Sequence, residues 1–348
     1  MSALSEANGT FAIHLLKLLC QSNPSKNVCY SPVSISSALA MVLLGAKGQS
    51  EVQISQALSL NKVKDIHRGF QLLLKKLNKP DRKYSLRVAN RLFADKTCEV
   101  LKTFKESCLQ FYDSEMEQLS FDEAAEESRQ YINSWVSKQT EAHLEILTSL
   151  NNMFYVMCMS AQDEKRPVQM MHQEGMFKLG YVEEVPARLL EMPYEGMELS
   201  LVVLLPDEDV DLSKVENDLT FEKLTAWTKP DIMWAKEVNI FLPKFKLQEE
   251  YEMNSVLQRL GMMDVFEEAK ADLPGMSPEK NLFLSKVVHK SVVEVNEEGT
   301  EAAASAAVTR VRHSFHGSSW FCADHPFLFF IKHNNTNSIL FCGRFSSP

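Results

Sequence analysis

The sequence of 348 residues has no apolar run long enough to cross a membrane. The longest such runs, for example residues 199–205, fall far short of the ~20 residues that a spanning helix needs. A secretory signal is also missing, because the apolar residues 11–19 are interrupted by His14 and Lys17 and follow no cationic run. We therefore expect a cytoplasmic protein, and a nucleo-cytoplasmic distribution or release without a leader stays open.

Glycine and proline are scarce, with 12 and 13 residues, and they are scattered rather than clustered. The chain has no linker-like stretch, no low-complexity tract and no internal repeat. Segments with apolar periodicity run from Phe11 to Phe345. The sequence therefore predicts a single domain over residues 1–348, which is long enough to bury a large core.

An excess of positive charge is also missing, since 46 acidic residues outnumber 37 lysines and arginines and the formal net charge is −9. This balance argues against a general affinity for nucleic acid or for anionic membranes. We expect neither as a partner, and we expect a monomer.

The cysteines lack the spacing of a disulfide framework or of a zinc site. They are seven in number and widely separated, and the sequence contains no Cys-x-x-Cys and no Cys/His set with zinc spacing. This pattern is typical of free thiols in a reducing compartment. No metal site is expected.

Catalytic motifs are absent as well: there is no Gly-x-Ser-x-Gly, no glycine-rich phosphate loop, no His-Glu-x-x-His and no dinucleotide fingerprint. The protein is therefore not expected to be an enzyme or to bind a cofactor. Among the nine histidines, His289 is distinctive because it follows Val287 and Val288 in a strand-like segment and precedes Ser291. A buried polar group in such a place is expected to be hydrogen-bonded.

The most informative segment that is present is residues 294–308, EVNEEGTEAAASAAV. Residues 285–295 are rich in β-branched side chains and predict a long strand that leads into it. Residues 302–307 are alanines with one serine, so they have too little apolar surface to anchor in a core but would fit between two strands. A short alanine-rich helix is the alternative for this run, because alanine is the best helix former.

Several motifs, spread over nearly the whole chain, resemble those of the serpin family. The sequence EEGTEAAA is similar to the proximal hinge that opens the serpin reactive-centre loop, and others resemble the shutter strand with its helix, two further strands and the two C-terminal strands. The hinge-like motif occupies residues 297–304, and the shutter-like strand and helix occupy residues 27–48. The two further strand motifs are residues 89–94 and 242–247. The two C-terminal strand motifs are residues 321–330 and 337–345. Their details are similar to the intracellular, ovalbumin-like clade B of the family.

The resemblance implies an α+β serpin fold, with helices packed on a large mixed central sheet A, two smaller sheets and an exposed reactive-centre loop at about residues 299–320. It also implies a suicide inhibitor of a serine protease. The protease attacks the loop, an acyl-enzyme forms, and the freed strand inserts into the central sheet before hydrolysis is complete.

A connection of 21 residues between Gly299 and Phe321 is itself long enough to indicate a functional loop. From Thr300 to Arg312, an inserted strand would be about 43 Å long at ~3.3 Å per residue. The resemblance assigns the hinge to Glu298, Gly299, Thr300, Glu301, Ala302, Ala303 and Ala304. It assigns the shutter to Ser31, Ser36 and His289, with His289 buried and hydrogen-bonded across the central sheet.

The reactive bond is predicted to follow Arg312 or His313. Counting forward from the hinge glycine by the family's spacing gives His313, whereas counting back from Phe321 gives Arg312. We favour Arg312, because arginine fits the carboxylate-bottomed pocket of trypsin-like proteases, and Arg310 is the next candidate. The expected partner is a trypsin-like or granule serine protease, and no acidic residue lies between Thr309 and Trp320 to suit an acid-specific protease.

The chain departs from the family between residues 146 and 166. Roughly 25 residues of the family pattern are missing here, which at ~3.3 Å per residue is more than one long strand. The Lys-Gly-x-Trp end of a central-sheet strand is also absent. In the family this strand flanks the slot that receives the loop. Two hypotheses follow, an inhibitor of the loop-insertion type and a non-inhibitory serpin-fold protein or protease substrate.

Overall fold

The computed structural model describes residues 2–78, 90–121, 123–140, 145–147, 153–159, 165–296 and 319–348. Over these residues the chain forms nine α-helices, two short 3-10 helices and fourteen strands. The α-helices are Ser2–Ser22 (α1), Pro32–Gly45 (α2), Gly48–Ala57 (α3), Ile66–Leu77 (α4), Lys102–Tyr112 (α5), Ala125–Thr140 (α6), Leu212–Asp218 (α7), Phe221–Trp227 (α8) and Asn254–Arg259 (α9). No helix in this described part is long and apolar enough to cross a membrane.

The strands are numbered in chain order. They are Val28–Tyr30 (β1), Leu92–Asp95 (β2), Met116–Leu119 (β3), Glu145–Leu147 (β4), Met153–Met159 (β5), Lys165–Val182 (β6), Ala187–Pro193 (β7), Leu199–Pro206 (β8), Trp234–Pro243 (β9), Phe245–Glu252 (β10), Val288–Asn296 (β11), Ser319–Cys322 (β12), Phe327–His333 (β13) and Ser338–Phe345 (β14).

Nine of the described strands form one large mixed sheet in the order β1-β14-β13-β8-β7-β6-β9-β12, with β5 paired to β6. Every pair in it is antiparallel except β9 with β12. All eight residues of β8 and all eight of β14 are buried. Their nearly continuous apolar sequences are typical of strands that are covered on both faces.

The main core lies between this sheet and the first helices. Phe11, Leu15 and Leu16 of α1 are fully buried in it together with Tyr30 and Phe329. The hydroxyl of Tyr30 donates a hydrogen bond of 2.5 Å to the carbonyl oxygen of Ala12, which satisfies the polar end of the buried ring. Helix α1 is therefore held against β1 by both packing and a hydrogen bond.

The remaining described strands form two smaller sheets. One has three strands in the order β10-β11-β4, and the other pairs β2 with β3 in parallel. Along β11 the side chains alternate, so that His289, Ser291, Val293 and Val295 are buried and the residues between them are not. This alternation is the period of two expected for a strand with one face on the core.

The helices, the large mixed sheet and the two smaller sheets agree with the α+β class predicted from the sequence. The strand predicted at residues 285–295 is observed as β11, Val288–Asn296. One feature differs in detail, since β11 lies in the three-stranded sheet rather than in the large one. Its pairing with β10 extends over eight residue pairs, from Phe245 opposite Val295 to Glu252 opposite Val288.

Candidate functional site

Strand β1 is an edge strand of the large sheet and lies next to β10 and β11 of the three-stranded sheet. One edge of β1 pairs with β14, with Cys29 opposite Gly343. At the other edge, the backbone N–H of Cys29 donates to the hydroxyl of Tyr251 at 3.1 Å, and its carbonyl oxygen accepts from the hydroxyl of Ser291 at 2.7 Å. Because a buried backbone group without a partner is costly, these side chains stabilise β1 as a buried edge strand.

His289 supplies the third bond to this edge. Its Nε2 accepts a hydrogen bond of 3.0 Å from the backbone N–H of Ser31, the residue that follows β1. The ring is buried, and desolvation lowers its pKa from 6.5 to about 4. A ring that accepts through Nε2 carries no proton there, so the neutral form of His289 is the one that fits this site.

The three side chains converge because of strand register. Tyr251 on β10 lies directly opposite His289 on β11, and Ser291 lies two residues further along the same strand. Residues two apart on a strand and residues directly opposite on its neighbour share one face of a sheet. The three-stranded sheet therefore presents one imidazole and two hydroxyls to β1.

Ser31 has a second role, as the N-cap of α2. Its hydroxyl accepts from the backbone N–H of Ser34 at 3.2 Å, and Pro32 occupies the first turn of the helix. A serine N-cap followed by proline is a favoured start for a helix. The bond from Ser31 to His289 thus ties the start of α2 to β11.

Ser36, the third predicted shutter residue, lies on α2 and is buried. Its hydroxyl lies 2.8 Å from Oδ1 of Asn8 and 2.6 Å from the carbonyl oxygen of Pro32. The amide nitrogen of Asn8 in turn donates to the carbonyl oxygen of Ile339 at 3.1 Å. Ser36 therefore joins α2 to α1 and, through Asn8, to the large sheet, while Ser31 joins it to β11.

Asn90, just before β2, links α2 to the two-stranded sheet. Its Oδ1 accepts from the hydroxyl of Ser34 at 3.0 Å, and its amide donates to the hydroxyl of Ser37 at 2.7 Å. Ser114, near β3, donates to its carbonyl oxygen at 2.6 Å. From the sequence, residues 89–94 are predicted to be a strand motif, but no role is predicted for Asn90. The roles of Tyr251 and Asn90 depend on contacts with residues distant in sequence.

Strand β4 is the immediate neighbour of β11 on the side away from β10. It runs parallel to β11 and pairs only with its end, from Glu294 opposite Glu145 to Asn296 opposite Leu147. The next strand, β5, pairs with β6 in the large sheet. Within the described part, β4 thus accompanies β11 over three residues of its nine.

Helix α6 contacts β11 as well as the two-stranded sheet. The ring of Trp135 packs edge-on against Phe93 of β2 at 6.0 Å between centroids, and the guanidinium of Arg91 lies 5.1 Å from the Trp135 ring. The hydroxyl of Tyr131 bonds to Oε2 of Glu117 on β3 at 3.0 Å. The helix therefore covers the region between β2 and β11.

The predicted hinge and reactive bond lie outside the described residues. These are Glu298, Gly299, Thr300, Glu301, Ala302, Ala303 and Ala304 of the hinge, together with Arg312 and His313. What the structure describes are the two roots of the connection. Strand β11 ends at Asn296 in the three-stranded sheet, and β12 begins at Ser319 beside β9 in the large sheet.

Metal ligands do not gather anywhere in the described part: no group of three or more His, Cys, Asp or Glu side chains there could hold an ion. The cysteines whose side chains are described are all free thiols, and most are buried. Burial raises the pKa of Cys29 and of Cys108 to about 12. Both are therefore packed as neutral thiols rather than poised as nucleophiles.

Comparison with known proteins identifies the family. A family model described as "Serpin (serine protease inhibitor)" matches residues 6–157 and 151–348. The chain is 59% identical to Serpin B9 and 52% identical to Serpin B8, both of Homo sapiens, and 46% identical to the leukocyte elastase inhibitor of Sus scrofa. Each of these alignments covers 100% of both proteins.

Solved structures agree with this assignment. A crystal structure of maspin matches 100% of this chain and 99% of its own, with a TM-score of 0.91 at 31% identity. Uncleaved ovalbumin matches with a TM-score of 0.89 at 32% identity, over 99% of this chain and 100% of its own. The serpin fold predicted from the sequence is confirmed.

The comparisons also locate the shortened segment. The alignment with Serpin B9 extends over 376 residues, 28 more than this chain contains. The match to the family model is made in two pieces that meet at residues 151–157, inside the predicted gap between 146 and 166. A gap of roughly this size and position was predicted from the sequence.

Proposed function

Because the chain belongs to the serpin family, we propose that it inhibits a trypsin-like serine protease as a suicide substrate, with the reactive bond after Arg312 or after His313. The family model that matches it is one of serine protease inhibitors. In this proposal residues 298–304 act as the hinge, and Ser31, Ser36 and His289 act as the shutter. The protein itself is no enzyme.

The observation that carries the proposal is the edge of β11 beside the loop. This strand runs directly into the proposed hinge, and within the described part β4 pairs only with its last three residues. We propose that the freed loop forms its new strand on this side of β11, along Val288 to Val293. The freed loop would fold back antiparallel to β11, and 13 residues at ~3.3 Å give about 43 Å of new strand.

The contacts at the base of β11 support the same proposal. They fix β11 to β1 and α2 through side chains, from His289 to Ser31 and from Ser291 to Cys29. Their bonds do not use the edge of β11 that would receive the loop. The strand can therefore gain a neighbour there while these anchoring bonds persist.

A second candidate function is that of a serpin-fold protease substrate, and the shortened segment between residues 146 and 166 favours it. Insertion stabilises the molecule only when the new strand has partners on both sides, because ladder groups buried without partners cost about 1 to 3 kcal/mol each. Within the described residues, β4 supplies three residues beside β11. If the far side of the slot is incomplete, a cleaved loop is released by hydrolysis rather than trapped.

A single gel experiment distinguishes an inhibitor from a substrate. Trypsin is mixed with the protein at equal concentration, and the products are boiled in detergent. A covalent complex that survives this treatment, with its serpin part cut in the loop, is the result expected of an inhibitor. Complete conversion to a loop-cleaved chain with trypsin still active identifies a substrate, and a chain that trypsin leaves uncut in the loop would contradict both.

The remaining parts of the proposal concern setting and partners. We propose a monomeric, single-domain protein of the cytoplasm that acts without cofactor, metal, nucleic acid or membrane. Its net charge of −9 disfavours polyanionic partners and favours cationic ones. Its buried neutral thiols fit a reducing compartment.

A further inference from the structure

An exposed aromatic face lies at the C-terminal root of the loop. Trp320, the second residue of β12, stacks on Phe241 of β9 with 5.2 Å between ring centroids and 9° between ring planes. Phe241 stacks in turn on His172 of β6 at 4.6 Å and 20°. The outer ring of this stack is 59% exposed, although tryptophan is usually much more buried.

The same face continues along β6 and β9. Met176 on β6 lies opposite Glu237 on β9, Glu174 lies opposite Asn239, and Trp320 is paired with Asn239 from the other side. Residues directly opposite on neighbouring strands share one face of the sheet. Met176 is 66% exposed, and both glutamates are exposed as well.

Two exposed carboxylates, Glu174 and Glu237, give this face negative charge. The guanidinium of Arg188, which lies 3.5 Å from the carbonyl oxygen of Trp320, is 3.8 Å from the carboxylate of Asp207. Neither Glu174 nor Glu237 has an ion-pair partner within the described part of the chain. The lysine on the same face of β6, Lys178, lies 3.1 Å from the buried carboxylate of Glu191, which it shares with Lys332. Lys236, the neighbour of Glu237, lies on the opposite face, 4.7 Å from the ring of Trp234.

We propose that this sheet face, formed by Trp320, Phe241, Met176, Glu174 and Glu237, is a second docking surface for the catalytic domain of a cationic trypsin-like protease. The inference rests on the proposed function and deepens it. The loop brings the protease to this place, and the face then supplies an aromatic contact and two unpaired carboxylates. A cationic surface with apolar side chains is the complement of such a face.

Chain length supports the placement. The seven residue steps from Arg312 to Ser319 span at most about 25 Å at ~3.6 Å each. A catalytic domain of roughly 200 to 250 residues has a radius of gyration of about 17 Å, so its width exceeds that reach. A protease bound at the reactive bond is therefore held within contact distance of the start of β12.

The test measures the second-order rate constant for cleavage of the loop by two trypsins of the same primary specificity, one cationic and one anionic. This rate constant is defined whether the protein is an inhibitor or a substrate. The double variant Glu174→Lys with Glu237→Lys is compared with a matched control, Glu99→Lys with Glu127→Lys, which makes the same change in net charge on exposed carboxylates elsewhere.

For the sheet-face double variant we expect a loss of about 3- to 10-fold with cationic trypsin at low salt, little or no loss with anionic trypsin, and a smaller difference at high salt. The control variant should change the rate for cationic trypsin by less than about 2-fold. Trp320→Ala should slow both trypsins, and Trp320→Phe, which keeps a stacked ring, should restore most of the rate.

Equal rates for the sheet-face variant and its control would overturn the docking surface and leave the proposed function intact. So would equal losses with the cationic and the anionic enzyme, because the face would then act through loop geometry rather than through charge. If neither trypsin cleaves the loop of the wild-type protein, the proposed function fails, and the docking surface fails with it.

Discussion

The backbone N–H of Ser31 donates a hydrogen bond of 3.0 Å to Nε2 of His289, a residue 258 positions away in sequence. The bond joins the N-cap of α2 to β11, the strand that precedes the proposed hinge. It requires an imidazole with no proton on Nε2, and burial favours the same neutral form by lowering the pKa to about 4. The stability of this junction is therefore coupled to pH.

We predict that the free energy of unfolding falls as the pH is lowered from about 6.5 to about 4. In this range the unfolded chain protonates His289 at its ordinary pKa of 6.5 and the folded protein does not, so protons favour unfolding. The full shift corresponds to about 3 kcal/mol at ~1.36 kcal/mol per pKa unit. Urea titrations at several pH values would measure the slope.

The variant His289→Gln provides the control for this prediction. It removes the titrating ring but keeps a side-chain acceptor, so the slope between pH 4 and 6.5 should become shallower even if stability at neutral pH is lower. Some slope will persist, because burial lowers the pKa of His67 to about 4 as well. A slope identical to that of the wild type would show that His289 is already protonated in the folded protein.

The hinge prediction concerns charge at positions that face inward on insertion. Thr300→Arg or Ala302→Arg should leave loop cleavage intact but abolish trapping, because an arginine buried unpaired in the sheet costs several kcal/mol. The yield of covalent complex with trypsin measures this. Glu301→Arg is the matched control, since an adjacent residue faces the opposite side of a strand. Undiminished complex with Ala302→Arg would rule out insertion of the hinge.

The register prediction concerns the bond that is cut. If the reactive bond follows Arg312, then Arg312→Ala should abolish cleavage there by trypsin-like proteases, because the charge-assisted pair in their specificity pocket is lost. Mass spectrometry of the released C-terminal fragment from the wild type reports the bond directly. The expected fragment begins at His313, whereas one that begins at Ser314 or at Val311 would assign the bond to His313 or to Arg310.

The last prediction concerns the shortened segment. A serpin gains stability on loop cleavage because the inserted strand completes a sheet that was metastable before. Because the chain is 28 residues shorter than its alignment with Serpin B9 and lacks them in this segment, we expect weak inhibition or simple cleavage, and a melting temperature that rises by no more than a few degrees. Calorimetry before and after loop cleavage tests this. A rise of tens of degrees would show that residues 147–159 rebuild the slot.

The sequence by itself determined the family, the fold class and the position of the shortened segment. These depend on local features that survive in a linear chain. The apolar runs of β8 and β14 predict buried strands whichever strands they pair with. The run of alanines after Gly299 can be recognised from composition alone. The missing length between residues 146 and 166 can likewise be counted without a structure.

Only the tertiary structure decided which distant residues meet. Nothing local to Tyr251 or Asn90 indicates that one satisfies the free edge of β1 and the other joins α2 to β2. Likewise, the pairing of β12 beside β9 places Trp320 on Phe241. Such contacts depend on strand register and on sheet membership, which arise when the whole core packs and which no short stretch of sequence specifies.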